Sequence, residues 1–169
     1  FAMRDVDELM LLDVAATRQG RLISEAVIED FASVLRVPFS VGGGVNSIEG
    51  VRTYLRAGAE KVVLGSAALQ IPNLVAEAAD RFGSQAIIVS IDVLSLGDGT
   101  LAINSGQTPL KMDLVETVVD LESKGVGEIL IQSVPHDGKM LGMNFEAIKL
   151  AAGAVGVPVI ASSGAGSHE

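Results

Sequence analysis

The chain has no cysteine and no tryptophan, and it has only one tyrosine. Without cysteine there can be no disulfide, no thiolate zinc site and no cysteine nucleophile. With only two histidines as well, no metal site and no cofactor are expected. Basic residues are scarce: 12 Lys and Arg stand against 21 Asp and Glu, for a net charge of −9. A nucleic-acid surface is normally basic, so this surplus of acid argues against a nucleic-acid partner. It does not exclude small anions, because backbone N–H groups bind them without any basic side chain. No stretch approaches the roughly 18 unbroken apolar residues of a membrane span. The most apolar run, 150–161, is interrupted by Gly153, Gly156 and Pro158. No basic segment leads into an apolar one, as a secretory signal would require. These absences fit a cytoplasmic protein with no membrane partner.

Hydrophobic residues make up 49% of the 169 positions, enough for one folded domain with a real core. A closed eight-fold α/β barrel typically needs about 250 residues. The pattern is strand then helix, repeated. Apolar runs at 9–12, 38–41, 61–64, 86–91, 128–131 and 157–161 suit strands buried on both faces. Between them lie helical stretches at 25–35, 48–57, 73–82, 113–124 and 144–155. They are opened by Ser24, Asn46 or Ser47, Asn73, Asp113 and Asn144. Parallel strands with right-handed crossovers follow. One irregular insert, about 95–105, carries Gly97-Asp98-Gly99 and reads as a hairpin.

An internal repeat narrows the fold. Residues 37–44 resemble 157–164, and 8–11 resemble 128–131, both at a shift of 120 positions. Two matches in one register point to a duplicated half-barrel of four strand–helix units. The expected fold is therefore a (β/α)8 barrel, incomplete, with strands 2 to 7 of eight on a single domain, 1–169. The chain opens almost at once on a strand and ends where a helix should begin. The first strand and the last strand–helix unit would then lie outside it.

Polar residues and glycines gather at the carboxyl ends of the strands, where α/β folds bind ligands. Gly42-Gly43-Gly44 lies between a strand and a helix start, a natural seat for phosphate. Ser163-Gly164 repeats the arrangement, and Gly65-Ser66 adds a hydroxyl. Taken singly, such glycines make tight turns; as a set they suit a substrate with a phosphate at each end. Asp13 and Asp92 each end an apolar strand and are candidates for acid–base work, with helix capping or ion pairing as the plainer role. His136 reads as a solvated loop residue beside Asp137 and Gly138. Glu8, Lys61 and Glu128 open three strands and fall at the opposite mouth, as a solvated rim or a charged ring.

Several segments together carry a resemblance: Asp7-Glu8-Leu9-Met10-Leu11-Leu12-Asp13, Val41-Gly42-Gly43-Gly44-Val45, Gly58-Ala59-Glu60-Lys61-Val62, Phe82-Gly83-Ser84-Gln85, Ser90-Ile91-Asp92, Gly127-Glu128-Ile129-Leu130 and Pro158-Val159-Ile160-Ala161-Ser162. In this order and spacing they resemble the cyclase subunit of imidazole glycerol phosphate synthase over essentially the whole chain. The resemblance implies a (β/α)8 barrel with a glutaminase subunit on its amino-terminal face. It implies an ammonia-dependent lyase of histidine biosynthesis that converts a ribulosyl aminoimidazole carboxamide nucleotide (PRFAR) to imidazole glycerol phosphate and AICAR. On this pattern Asp92 matches one of two acid–base aspartates, the other falling outside the chain, and Asp13 a further active-site aspartate. Gly44, Gly65, Ser66, Asp137, Gly138 and Gly164 match phosphate-binding positions. Glu8, Lys61 and Glu128 match three of four ammonia-gate residues. The chain departs from the pattern at Gly65-Ser66 (usually Asn-Thr), Val93-Leu94 (usually Ala-Lys), Pro135-His136 (usually Asp-Arg) and Ser163 (usually Gly). Those departures leave two alternatives: a paralogue supporting ammonia-dependent amidation of sugars, or a non-catalytic partial barrel that binds phosphate or self-associates through open edges.

Overall fold

The structure is a computed structural model and describes residues 6–95, 100–140 and 142–166. Among the described residues, six strands of an eight-stranded sheet run parallel: β1 (Leu9–Leu12), β2 (Phe39–Gly42), β3 (Lys61–Leu64), β4 (Ile87–Ser95), β7 (Glu128–Ser133) and β8 (Val159–Ser162). They lie in the order β1-β2-β3-β4-β7-β8. Helices α1 (Ala16–Gln19), α2 (Glu25–Val34), α3 (Ile48–Arg56), α4 (Ser66–Gln70), α5 (Leu74–Phe82), α6 (Leu114–Ser123) and α7 (Phe145–Ala154) complete the crossovers.

The sheet is buried on both faces. Its outer face, with Val41, Val62, Leu64, Val89, Ile129 and Ile131, packs into the large core under the helices. The inner face gathers Val63, Ile88 and Leu130, with Met10 and Ile160 against them. Five strands, β1 and β8 included, thus meet at one apolar plug, so the sheet is curled as a barrel wall. The duplication is visible in the pairing. Leu9 pairs with Phe39 and Ile129 with Val159, an identical register at the 120-residue shift. Leu9 N–H donates to the Pro38 carbonyl and Ile129 N–H to the Pro158 carbonyl, each at 3.0 Å.

Three helix starts are capped as expected. Ser47 accepts from Gly50 N–H, Asp113 from Glu116 N–H and Asn144 from Ala147 N–H. Ser24 stands at its N-cap position without a side-chain bond. The insert is larger than the sequence suggests. Strand β4 runs past Asp92 to Ser95, where it pairs antiparallel with β5 (Thr100–Ile103). Strand β5 then pairs with β6 (Thr108–Lys111). The expected Gly97-Asp98-Gly99 turn lies outside the described residues. Strand β6 escaped notice because it is short, largely exposed and contains Pro109. Proline is tolerated there because β6 is an edge strand.

Candidate active site

A cavity of about 330 Å³ opens at the carboxyl ends of β1 to β4. Asp13, Gly44, Gly65, Ser66 and Asp92 all line it, together with Ser90, Asn104, Ser105 and Gln132. The sequence had pointed to the first five. Asp137, Gly138 and Gly164 do not line it and belong to the neighbouring β7–β8 side. Glu8, Lys61 and Glu128 lie at the other end of the strands.

Asp13 directly follows β1, and its N–H donates to the Gly42 carbonyl. Its carboxylate accepts Ala15 N–H at 2.9 Å and Ala16 N–H at 3.1 Å, and pairs with Arg21 at 2.8 Å. The Ala15 bond, helped by Arg21 and Ala16 and opposed by some burial, holds this carboxyl below the usual Asp range. Asp13 thus stays ionised and organises the loop before α1.

Asp92 differs. It sits on the inner face of β4, and burial pushes its carboxyl above the usual range. The Gly106 N–H, donating at 3.0 Å, works against that rise, and the nearby Asp137 carboxylate adds to it. A carboxyl with raised proton affinity beside a cavity suits proton transfer.

The glycine loops are packed as tightly as they read. A side chain at Gly44 would place its Cβ 1.9 Å from the Arg21 carbonyl oxygen, and φ there is +71°. At Gly164, 120 positions on, a Cβ would fall 2.2 Å from the Gly142 carbonyl, with φ +83°. The same pseudo-symmetry places Ala16 against Gly44 and His136 against Gly164. The close approach is therefore made first by the chain's own backbone. Gly65 has open space where a side chain would go, so it does not need to be glycine for packing.

His136 is not simply solvated. Its Nδ1 is buried without a partner among the described residues, as are the hydroxyls of Ser133 and Ser163. All three follow or end β7 and β8, beside Asp137, Gly138 and Gly164. At the opposite mouth, Lys61 Nζ bridges Glu8 at 2.8 Å and Glu128 at 2.7 Å. The three form the charged ring, rather than separate solvated charges. Burial alone would lower the Lys61 ammonium, but the two carboxylates outweigh it and hold it above its ordinary value.

Sequence reasoning missed Tyr54, whose buried hydroxyl donates to the Gly43 carbonyl and accepts Ile23 N–H. It also missed Ser90 and Gln132, which stand at even spacing from Asp92 and Glu128 within the same apolar strands, so the period of two could have revealed them.

The family described as histidine biosynthesis protein matches residues 1–169. The chain belongs to this family. Relatives within it include imidazole glycerol phosphate synthase subunit HisF of Dictyoglomus turgidum, 41% identical over 165 residues. That of Halalkalibacterium halodurans is 42% identical over 166 residues, and that of Prochlorococcus marinus 40% over 173. The first two matches cover 96% of this chain and 66% of the relative; the third covers 100% and 67%. The chain thus spans about two thirds of the relatives' length, and the expected membership of this barrel family holds.

Proposed function

We propose that this chain is the larger part of an ammonia-dependent cyclase–lyase that converts PRFAR to imidazole glycerol phosphate and AICAR in histidine biosynthesis. The observation that carries the reading is Asp92, half-buried in a cavity walled by Gly44, Gly65 and Ser66, with burial raising its affinity for a proton. Asp92 is one of the two acid–base groups, and the second belongs to sequence outside this chain. Gly44, Gly65 and Ser66 hold one phosphate. Asp137, Gly138 and Gly164 mark the second, beside Ser133, His136 and Ser163, whose buried polar atoms have no partner among the described residues. Backbone N–H groups bind phosphate there without basic side chains. Asp13 orders the loop that closes the first cradle. The Glu8–Lys61–Glu128 ring gates ammonia delivered by a glutaminase subunit on the amino-terminal face.

The test is PRFAR consumption with ammonium, followed by absorbance, on a polypeptide completed to the relatives' length. Turnover is expected, with a loss of about 100-fold or more in Asp92→Asn, the scale of a general acid or base. Full rate in that variant would remove Asp92 from the chemistry. The departures at Pro135 and His136 favour a second reading, the sugar-amidating paralogue. A folded protein that leaves PRFAR untouched, and gains turnover when those two residues are reverted, would support it.

A further inference from the structure

The hairpin formed by β5 and β6 bends its tip over the cavity and touches three separate parts of its rim. Asn104 N–H donates to Ser66 Oγ at 2.8 Å. Ser105 Oγ donates to the Val14 carbonyl at 3.0 Å. Gly106 N–H donates to Asp92 Oδ2 at 3.0 Å. The tip is built for this. Asn104, Ser105 and Gly106 all take positive φ, at 57°, 56° and 79°. A side chain at Gly106 would bring its Cβ 2.6 Å from Val134. Left-handed backbone at two successive residues with side chains is costly and persists where surrounding contacts hold it.

We propose that residues 104–106 are a positioning element, hooked to the rim by Ser105, that aims the Ser66 hydroxyl and the Asp92 carboxylate into the cavity together. The chemistry of each bond fixes a direction. Ser66 Oγ accepts the Asn104 N–H, and among the described residues it makes no hydrogen bond with its own proton. Its O–H is therefore left to donate to an anionic oxygen in the cavity, where Ser66 stands. Asp92 has one oxygen engaged by Gly106, which leaves Oδ1 for the substrate. The Gly106 N–H also favours the ionised form of this carboxyl, against the burial that raises its proton affinity. One small segment thereby sets both the phosphate seat and the proton-transfer group. Ser105 touches neither of them; it acts through its neighbours.

The inference rests on reading Ser66 and Asp92 as working groups of this cavity, but its test needs no turnover. In the 169-residue chain, the Asp92 carboxyl is titrated by carbon-13 NMR, with Asp92→Asn to assign the signal. Inorganic phosphate binding is read from the Gly65 and Ser66 amides. Ser105→Gly removes the hook and relieves the positive φ. It is expected to free the Gly106 N–H from Asp92, which moves the Asp92 midpoint further up, and to weaken phosphate about fivefold, the factor one hydrogen bond commands. Ser105→Asn keeps a donor and tolerates the left-handed backbone, so both readouts should return toward wild type. Ser66→Ala, at the other end of the strap, should shift the Asp92 midpoint in the same direction as Ser105→Gly. An unchanged midpoint and unchanged phosphate binding in Ser105→Gly would overturn the proposal. So would a change in one without the other, since the tip would not then couple the two groups. Absence of PRFAR turnover would leave these readouts unaffected, so the two readings fail separately.

Discussion

Tyr54→Phe removes a single oxygen from the largest fully buried side chain. That oxygen joins two loops at the rim of the cavity. It donates to the Gly43 carbonyl at 2.5 Å and accepts Ile23 N–H at 2.8 Å. The phenyl ring fills nearly the same space, so cavity formation contributes little. Two lost hydrogen bonds are worth about 2 kcal/mol, and a buried N–H left without a partner at Ile23 adds about 1 kcal/mol more. For a chain of this size, a loss of about 3 kcal/mol lowers Tm by roughly 6 to 12 °C. Thermal unfolding by circular dichroism measures this directly. Burial raises the Tyr54 phenol, and the Ile23 N–H opposes that rise only in part. Its folded value therefore exceeds its unfolded value near 10. The phenol's contribution is complete below about pH 10 and is lost as pH rises through the folded value. The gap in Tm between wild type and Tyr54→Phe should thus narrow above pH 10. A drop under about 2 °C at neutral pH would refute the claim that this hydroxyl holds the glycine loop.

Lys61→Met leaves Glu8 and Glu128 facing each other without their cation. Both pairs are only partly buried, so the cost falls between a surface pair and a buried one, at about 2 kcal/mol by urea denaturation. A cost near zero would mean that the ring is solvated. Lys61 is held above its ordinary value, so its contribution is present below about pH 10.4 and fades as pH rises further; the Lys61→Met variant should lack that alkaline loss. Gly44→Ala must displace the Arg21 carbonyl and adopt a left-handed backbone. A loss of about 2 kcal/mol or more is expected, and an unchanged Tm would show that the loop can yield. Asp13 is depressed, chiefly by the Ala15 N–H, so its stabilisation is present above about pH 3.8 and is lost as pH falls below that. Asp13→Asn should flatten this part of the acid unfolding curve.

The parallel sheet was legible because its strands are apolar on both faces and separated by capped helices. The repeat was legible because its two copies keep one register, Leu9 with Phe39 and Ile129 with Val159. Asp92 was legible as a polar residue at the end of an apolar run, although the strand in fact continues beyond it. Two kinds of feature stayed hidden. The short helices α1 and α4 and the edge strand β6 have too few residues to show a period. The roles of Tyr54, Ser105 and Gly106 depend on partners far along the chain, and nothing local in the sequence marks them. The glycines were read as making room for a ligand. At Gly44 and Gly164 the room is taken first by carbonyls of the protein itself, a contact between distant segments that spacing alone does not reveal.

Strand β4 also carries a consequence for the order of assembly. It pairs with β3 through Val62 and Ile87, and with β7 through Ile88 and Glu128. The second pairing closes a longer loop, which contains the hairpin and α6, and a longer loop costs more entropy to close. The β3–β4 pairing should therefore form first. Pulse-labelled hydrogen exchange during refolding reads this as early protection of Val63 and Val89, ahead of Leu130; simultaneous protection would argue against it. Gly65, Ser66 and Asp92 then belong to the half that is built early, and Asp137, Gly138 and Gly164 to the half that is added last. On the function proposed above, a chain caught part-way would already carry Asp92 and one phosphate seat, before the residues proposed to grip the far end of the substrate are in place.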